Sequence, residues 1–187
     1  MGSEIQSIRG FASMPTISPR NSAVLLLLLD KQGESYVVLT KRTDGVANHK
    51  GQISLPGGAV EPTDRSLLET ALRETREELG IETSQMEIAG QLEDVYTPVS
   101  NFNITPFVAR LAGNPIYQPD PIEVAEVIEV PLAVIQDRSI WWEDDRPDTE
   151  GRAGDKVYFF RYGNHVVWGA TARILKQFIE RPELGQP

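Results

Sequence analysis

The sequence predicts a single α/β (α+β) domain over residues 22–187, a mixed sheet packed between helices, preceded by an arm at residues 1–21. Three observations predict it. Short apolar and β-branched runs alternate with turn-rich stretches from residue 23 onward, as in a chain of strands. Two segments, ending at Leu79 and Ile179, carry apolar residues at helical spacing. No internal repeat or low-complexity tract interrupts them, and 187 residues suffice for one domain with a real core.

The elements follow in order. Residues 1–21 are poorly patterned and contain Pro15 and Pro19, hence the arm. Ala23 to Leu29 and Tyr36 to Lys41 read as two strands joined by a turn through Lys31, Gln32 and Gly33. A loop from Arg42 to Ser54 leads to Gly57 and Gly58. A helix is expected from about Arg65 to Leu79, capped by Asp64 or Ser66 and stopped by Gly80. Leu68, Ala71, Leu72, Thr75 and Leu79 form its buried stripe. Met86 to Tyr96, Ile104 to Leu111 and Val124 to Val130 have strand character, and Ser139 to Trp142 pairs with Lys156 to Phe160 around a polar loop. The chain closes with a helix from about Val166 to Ile179, with His165 as its cap.

Composition excludes several functions. A net charge of −9 argues against nucleic-acid binding through a general basic surface. The absence of cysteine excludes disulfides and thiol catalysis and fits a reducing cytoplasm. The apolar run Ala23 to Leu29 is too short for a bilayer and ends at Asp30, so a buried strand is expected and no membrane partner.

The chemistry lies between Gly57 and Ile81. Glu74, Glu77 and Glu78 share one helix face beside Arg73, where each like-charge neighbour pair costs roughly 0.2–0.5 kcal/mol. A bland face laced by Glu69–Arg73 and Arg73–Glu77 pairs would explain such a cluster on an ordinary helix. Gly57 and Gly58 shift the balance, because they let backbone approach a metal or phosphate with no side chain in the way. Hard cations such as Mg²⁺ take carboxylate oxygens and are completed by substrate phosphates, so the face reads as a cradle for Mg²⁺ or Mn²⁺. Lys41, Arg42, His49 and Lys50 supply local positive charge just upstream.

Gly58, Arg73, Glu74, Glu77, Glu78, Gly80 and Ile81 together resemble the box of the Nudix hydrolase family. Three positions depart from its pattern. The Gly58 to Arg73 spacing is one residue longer, Asp64 replaces an early Glu, and Thr75 stands where an aliphatic residue is usual. The resemblance implies a Nudix-type mixed sheet sandwiched between helices. It also implies metal ligands Glu74, Glu77, Glu78 and the Gly57 carbonyl, and a site containing Glu77, Glu78, Arg73 and Glu123, with Glu77 or Glu123 as the base that deprotonates water. Arg73 is assigned a structural task, pairing with Asp64 or Glu77. For Glu123 the alternative is a solvated loop charge.

Leu39-Thr40-Lys41-Arg42 and His49 to Gly58 are similar to the upstream motif of the coenzyme A pyrophosphatase branch, with Thr43, Ala47 and Leu55 departing from it. Val167 to Ala172 and Glu123 to Val127 also look like that branch. The resemblance implies cleavage of coenzyme A to 3′,5′-ADP and 4′-phosphopantetheine. Arg42 and Lys50 are the expected contacts to the 3′-phosphate, because Ala47 stands at the motif's second Arg. The implied partner is a small nucleoside diphosphate compound, and the assembly admits a homodimer. Alternatives are action on ADP-ribose, dinucleotides or nucleoside triphosphates, and a catalytically silent nucleotide-binding domain, which the intact acids oppose. Tyr96, Phe102, Tyr117, Trp141 and Trp142 could stack on a base, yet packing is the commoner use of such aromatics.

Overall fold

A computed structural model describes residues 18–43, 51–147 and 153–185. Lys50, an expected contact to the 3′-phosphate, His49 and the departure at Ala47 fall outside the described residues.

Strand β1 (Arg20–Lys31) sets the architecture. Leu25 to Leu29 are all fully buried, which requires cover on both faces of the sheet. Leu25, Leu27 and Leu29 pack with Ala71 and Leu79 of helix α1 (Leu67–Leu79), whereas Leu26 and Leu28 pack with Ile174, Leu175 and Phe178 of the last helix. The alternation follows from the period of two along a strand. Strand β2 (Glu34–Arg42) returns antiparallel through Gln32 and Gly33, whose φ values of 55° and 82° suit the turn that matches strand twist. β3 (Ile53–Ser54) pairs with β2 and β4 (Gly57–Ala59) pairs with β1.

Beyond α1 come β5 (Glu87–Gln91), β6 (Val95–Thr97), β7 (Phe102–Ala112) and β8 (Val124–Pro131). β7 lies parallel to β1 along its whole length, and the large sheet runs β3-β2-β1-β7-β5, with β4 on β1, β6 on β7 and β8 on β2. A short helix α2 (Leu132–Gln136) leads to a second sheet of β9 (Trp141–Pro147), β10 (Ala153–Tyr162) and β11 (His165–Trp168), followed by α3 (Gly169–Ile179). The mixed sheet between helices is therefore as the sequence predicts.

Several boundaries differ, among them the expected strand Ser139 to Trp142, which is a 3-10 turn at Arg138–Ile140 and a strand only from Trp141. β1 is already paired at Arg20, whose guanidinium lies 4.7 Å over the Phe102 ring, so order extends into the expected arm. The expected strand Met86 to Tyr96 is two strands, parted where Asp94 accepts from Asn103 Nδ2 at 2.8 Å and Thr105 Oγ1 at 2.7 Å. α1 starts at Leu67 rather than Arg65, because Ser66 is its cap. The last helix starts at Gly169, since Val166 to Trp168 pair with β10; His165 lies in β11, 3.3 Å from Glu126, and caps nothing. Among the described residues no helix is long and apolar enough to cross a membrane.

Candidate active site

The acid face begins with local geometry. The Ser66 side chain accepts the Glu69 N–H at 3.1 Å, and Glu69 in turn accepts from Arg65 N at 2.8 Å, one residue earlier than the usual capping box. The start fixes the phase of α1. Ala71, Thr75 and Leu79 then face the sheet, while Glu74 and Glu78 meet Gly58 and Gly57 of β4 and Glu77 lies beside Arg73.

Arg73 ties this face together. Its guanidinium donates to both carboxylate oxygens of Asp64 at 2.9 and 3.0 Å, to Glu74 Oε1 at 2.8 Å, to Glu77 Oε2 at 3.1 Å and to the Ala59 carbonyl at 3.2 Å. Both partners expected for Arg73 are thus engaged at once. Asp64, with 2% of its side chain exposed, also accepts the Glu61 N–H and the Thr70 hydroxyl. The Arg73 contact and these hydrogen bonds hold its carboxyl well below the usual range. Asp64 thus anchors the loop from β4 to α1 rather than capping the helix.

Gly57 and Gly58 lie in β4 instead of a free turn, opposite Val24 and Ala23. A Cβ on Gly57 would come within 2.6 Å of Val24 Cα, and one on Gly58 within 2.5 Å of Glu74 Oε1. Glycine is therefore what lets β4 run between β1 and the Glu74 carboxyl.

The deepest of the three α1 carboxylates is Glu78, only 3% exposed. Burial pushes it up to about 8, against the pull of Arg42 and of the Gly57 backbone N–H, with Glu74 and Glu123 adding repulsion. Glu74 is raised as well, chiefly by burial, whereas the Glu77 side chain is 55% exposed. Arg42 stands 3.9 Å from Glu78 and 3.8 Å from Glu123, and its Nε is buried with no hydrogen-bond partner among the described residues. Where Lys41 faces Glu126 and Arg42 faces Val124 the register shifts, leaving Ala125 as an extra residue of β8 beside this end of β2.

Glu123 reaches the cluster through the end of α1. Gly80, at φ 64°, closes the helix and lets the following loop approach, so that Gln118 N bonds Leu79 O at 2.9 Å and Asp120 N bonds Glu78 O at 3.3 Å. Thr43 then pins the loop, donating from its N–H to Glu123 O and from its hydroxyl to Ile122 O.

Arg42, Gly57 and Gly58 form one end of a cleft of about 250 Å³. Its other walls are Val24, Phe102, Ile104 and the first turns of α3, at Ala170, Thr171 and Ile174. Of the expected aromatics only Phe102 lines it; Tyr117 bonds Glu129, Trp141 packs on Phe160, and Trp142 stacks on Phe159. Sequence reasoning missed the Arg42–Glu78–Glu123 triangle and the contribution of α3, although Val167 to Ala172 had stood out as a motif.

Among the described residues no three carboxylate or imidazole groups already converge on one point. The donor set nevertheless fits a hard divalent cation. Glu74 crowds Gly58, Glu78 is buried with too little positive charge to hold it ionised at neutral pH, and all donors are oxygens.

The chain matches the NUDIX domain model over residues 19–148. It is 34% identical, across 88% of its length and 86% of the relative, to a protein of Photorhabdus laumondii called uncharacterized Nudix hydrolase NudL. The protein of that name from Enterobacter sp. strain 638 is 36% identical across 94% of this chain and 89% of its own. A NUDIX hydrolase from Nitrosomonas europaea shares the fold with a TM-score of 0.55 at 22% identity, covering 94% of this chain and 78% of that one. A C. elegans Ap4A hydrolase binary complex does so at 0.51 and 21% identity, covering 60% and 80%. The box on α1, the matched domain and the relatives agree that the chain belongs to the Nudix hydrolases, enzymes that act on phosphorus-containing anhydrides.

Proposed function

We propose that this enzyme is a Mg²⁺- or Mn²⁺-dependent pyrophosphatase that cleaves coenzyme A to 3′,5′-ADP and 4′-phosphopantetheine. The observation that carries the reading is the junction of the acid face with the cleft: Glu74 and Glu78 meet Gly57, Gly58 and Arg42 at one end, and the apolar walls begin beyond them. A pyrophosphate fits the charged end and the less polar arm of a nucleotide conjugate fits the rest. The upstream motif from Leu39 to Gly58 supports coenzyme A within the family.

Glu74, Glu77, Glu78 and the Gly57 carbonyl would hold the ions. Bound there, a divalent cation supplies charge neutralisation on the phosphates and a water of lowered pKa. The protein's own groups complete the chemistry. Arg73 keeps Glu74 and Glu77 in place. Arg42 offers its guanidinium to a phosphate oxygen when it leaves Glu78 and Glu123. Glu77 or Glu123, both well exposed, accepts the proton of the attacking water. A second reading, ADP-ribose or another nucleoside diphosphate compound, is favoured by Ala47 at the motif's second Arg. A product-resolved screen of coenzyme A, dephosphorylated coenzyme A, ADP-ribose and dinucleotides decides between them: faster turnover of ADP-ribose than of coenzyme A would overturn the coenzyme A assignment.

A further inference from the structure

The N-terminus of α3 opens on the same cleft as Gly57, Gly58 and Arg42. The first N–H groups of any helix lack intrahelical partners and carry the positive end of its dipole. α1 meets one of them with Ser66, but α3 follows Trp168, which makes no side-chain cap hydrogen bond. Gly169, at φ 66°, turns the chain from β11 into the helix, leaving the N–H groups of Gly169, Ala170 and Thr171 at the helix end.

An independent observation marks the same place. Thr171 is only 9% exposed, lines the cleft, and its hydroxyl has no hydrogen-bond partner among the described residues. Other buried helix threonines are satisfied: Thr75 donates to Ala71 O at 2.7 Å and Thr70 to Asp64 at 2.8 Å. Thr171 is thus largely buried while its hydroxyl opens on the cleft, where it can donate to a ligand acceptor. Backbone N–H groups, a helix dipole and a free hydroxyl at one point suit a phosphate oxygen. Arg42, in the same cleft, is engaged by Glu78 and Glu123 of the acid cluster.

We propose that the turn Gly169 to Thr171 is a second anion subsite of the cleft, which takes a phosphate monoester set apart from the pyrophosphate. In coenzyme A that group is the 3′-phosphate. The inference rests on reading the cleft as a nucleotide pyrophosphatase site, and it gives the motif Trp168-Gly169-Ala170-Thr171 a task in substrate choice.

The test compares two product nucleotides, which the enzyme does not hydrolyse, by calorimetric titration of the full chain in Mg²⁺ buffer. The wild type should bind 3′,5′-ADP about ten- to hundredfold more tightly than 5′-AMP, the span expected of charge-assisted hydrogen bonds. Thr171→Val, which keeps shape and removes the hydroxyl, should erode that preference about tenfold, and Thr171→Ser should keep it. Ala170→Pro removes one N–H where a first turn tolerates proline, and should erode it too; this variant decides if Thr171→Val fails to fold. Equal affinity for the two nucleotides in the wild type overturns the subsite. So does a preference that survives both Thr171→Val and Ala170→Pro. Wild-type protein that hydrolyses no nucleoside diphosphate compound yet binds 3′,5′-ADP through Thr171 would remove the pyrophosphatase reading and keep the subsite. Hydrolysis with equal nucleotide affinities does the reverse.

Discussion

Replacing Gly80 by alanine tests how the loop carrying Glu123 is built. At φ 64° any side chain costs about 1–2 kcal/mol in the left-handed region. The new Cβ would also fall 2.7 Å from Gln118 Cβ and 2.8 Å from Gln118 C, so the loop must move away. That movement puts at risk the hydrogen bonds Gln118 N to Leu79 O and Asp120 N to Glu78 O, each worth roughly 0.5–1.5 kcal/mol. Gly80→Ala should therefore cost about 2–5 kcal/mol. Gly33→Ala is the internal control: its φ of 82° is equally left-handed, but nothing lies within 4 Å of its Cβ, so only the backbone cost of about 1–2 kcal/mol applies. Urea unfolding of both variants measures the difference, and a domain of this size loses roughly 2–4 °C in Tm per kcal/mol. Equal losses in the two variants would refute the docking of the Gln118 to Glu123 loop on the end of α1.

Three further outcomes follow from the site. Glu78→Gln should lower kcat by at least about 10²-fold without loss of stability in metal-free protein, because burial already favours the neutral carboxyl that the amide replaces; kcat and unfolding curves check both halves. Arg42→Ala should lower kcat/KM for coenzyme A and for its dephosphorylated form by a similar factor, about ten- to hundredfold, since Arg42 stands at the acid end; a change confined to coenzyme A would place it at the 3′-phosphate instead. Asp64, whose carboxyl is held below its ordinary value, stabilises the fold above the unfolded carboxylate range, and that contribution fades as pH falls. Asp64→Asn should accordingly flatten the acid limb of a stability–pH curve, and an unchanged limb would contradict the Arg73 anchor.

Much of the site is legible because its chemistry is local. Glu74, Glu77 and Glu78 sit three and four residues apart, so helix geometry alone puts them on one face, and Arg73 reaches two of its partners within the same helix. The leucines of β1 are legible for a similar reason, since an unbroken apolar run requires cover on both sides. What is not legible depends on long-range pairing. Arg42 meets Glu78 and Glu123 only because β8 pairs with β2 and the Gln118 loop folds onto α1, and neither contact has a local signal. The start of α3 is hidden for a different reason. Val166, Val167 and Trp168 satisfy a helical stripe and a strand equally well, and pairing with β10 decides in favour of the strand.

In the proposed function, the acid face of α1 with Gly57 and Gly58 is a metal-dependent site that cleaves coenzyme A. Mass-resolved product analysis of coenzyme A incubated with the purified chain tests it most directly, with Mg²⁺ or Mn²⁺, with excess chelator, and with Glu78→Gln in parallel. 3′,5′-ADP and 4′-phosphopantetheine should form in equal amounts with metal, not at all with chelator, and at least about 10²-fold less from the variant. Undiminished turnover in chelator, or intact coenzyme A beside rapid metal-dependent cleavage of ADP-ribose, would contradict it.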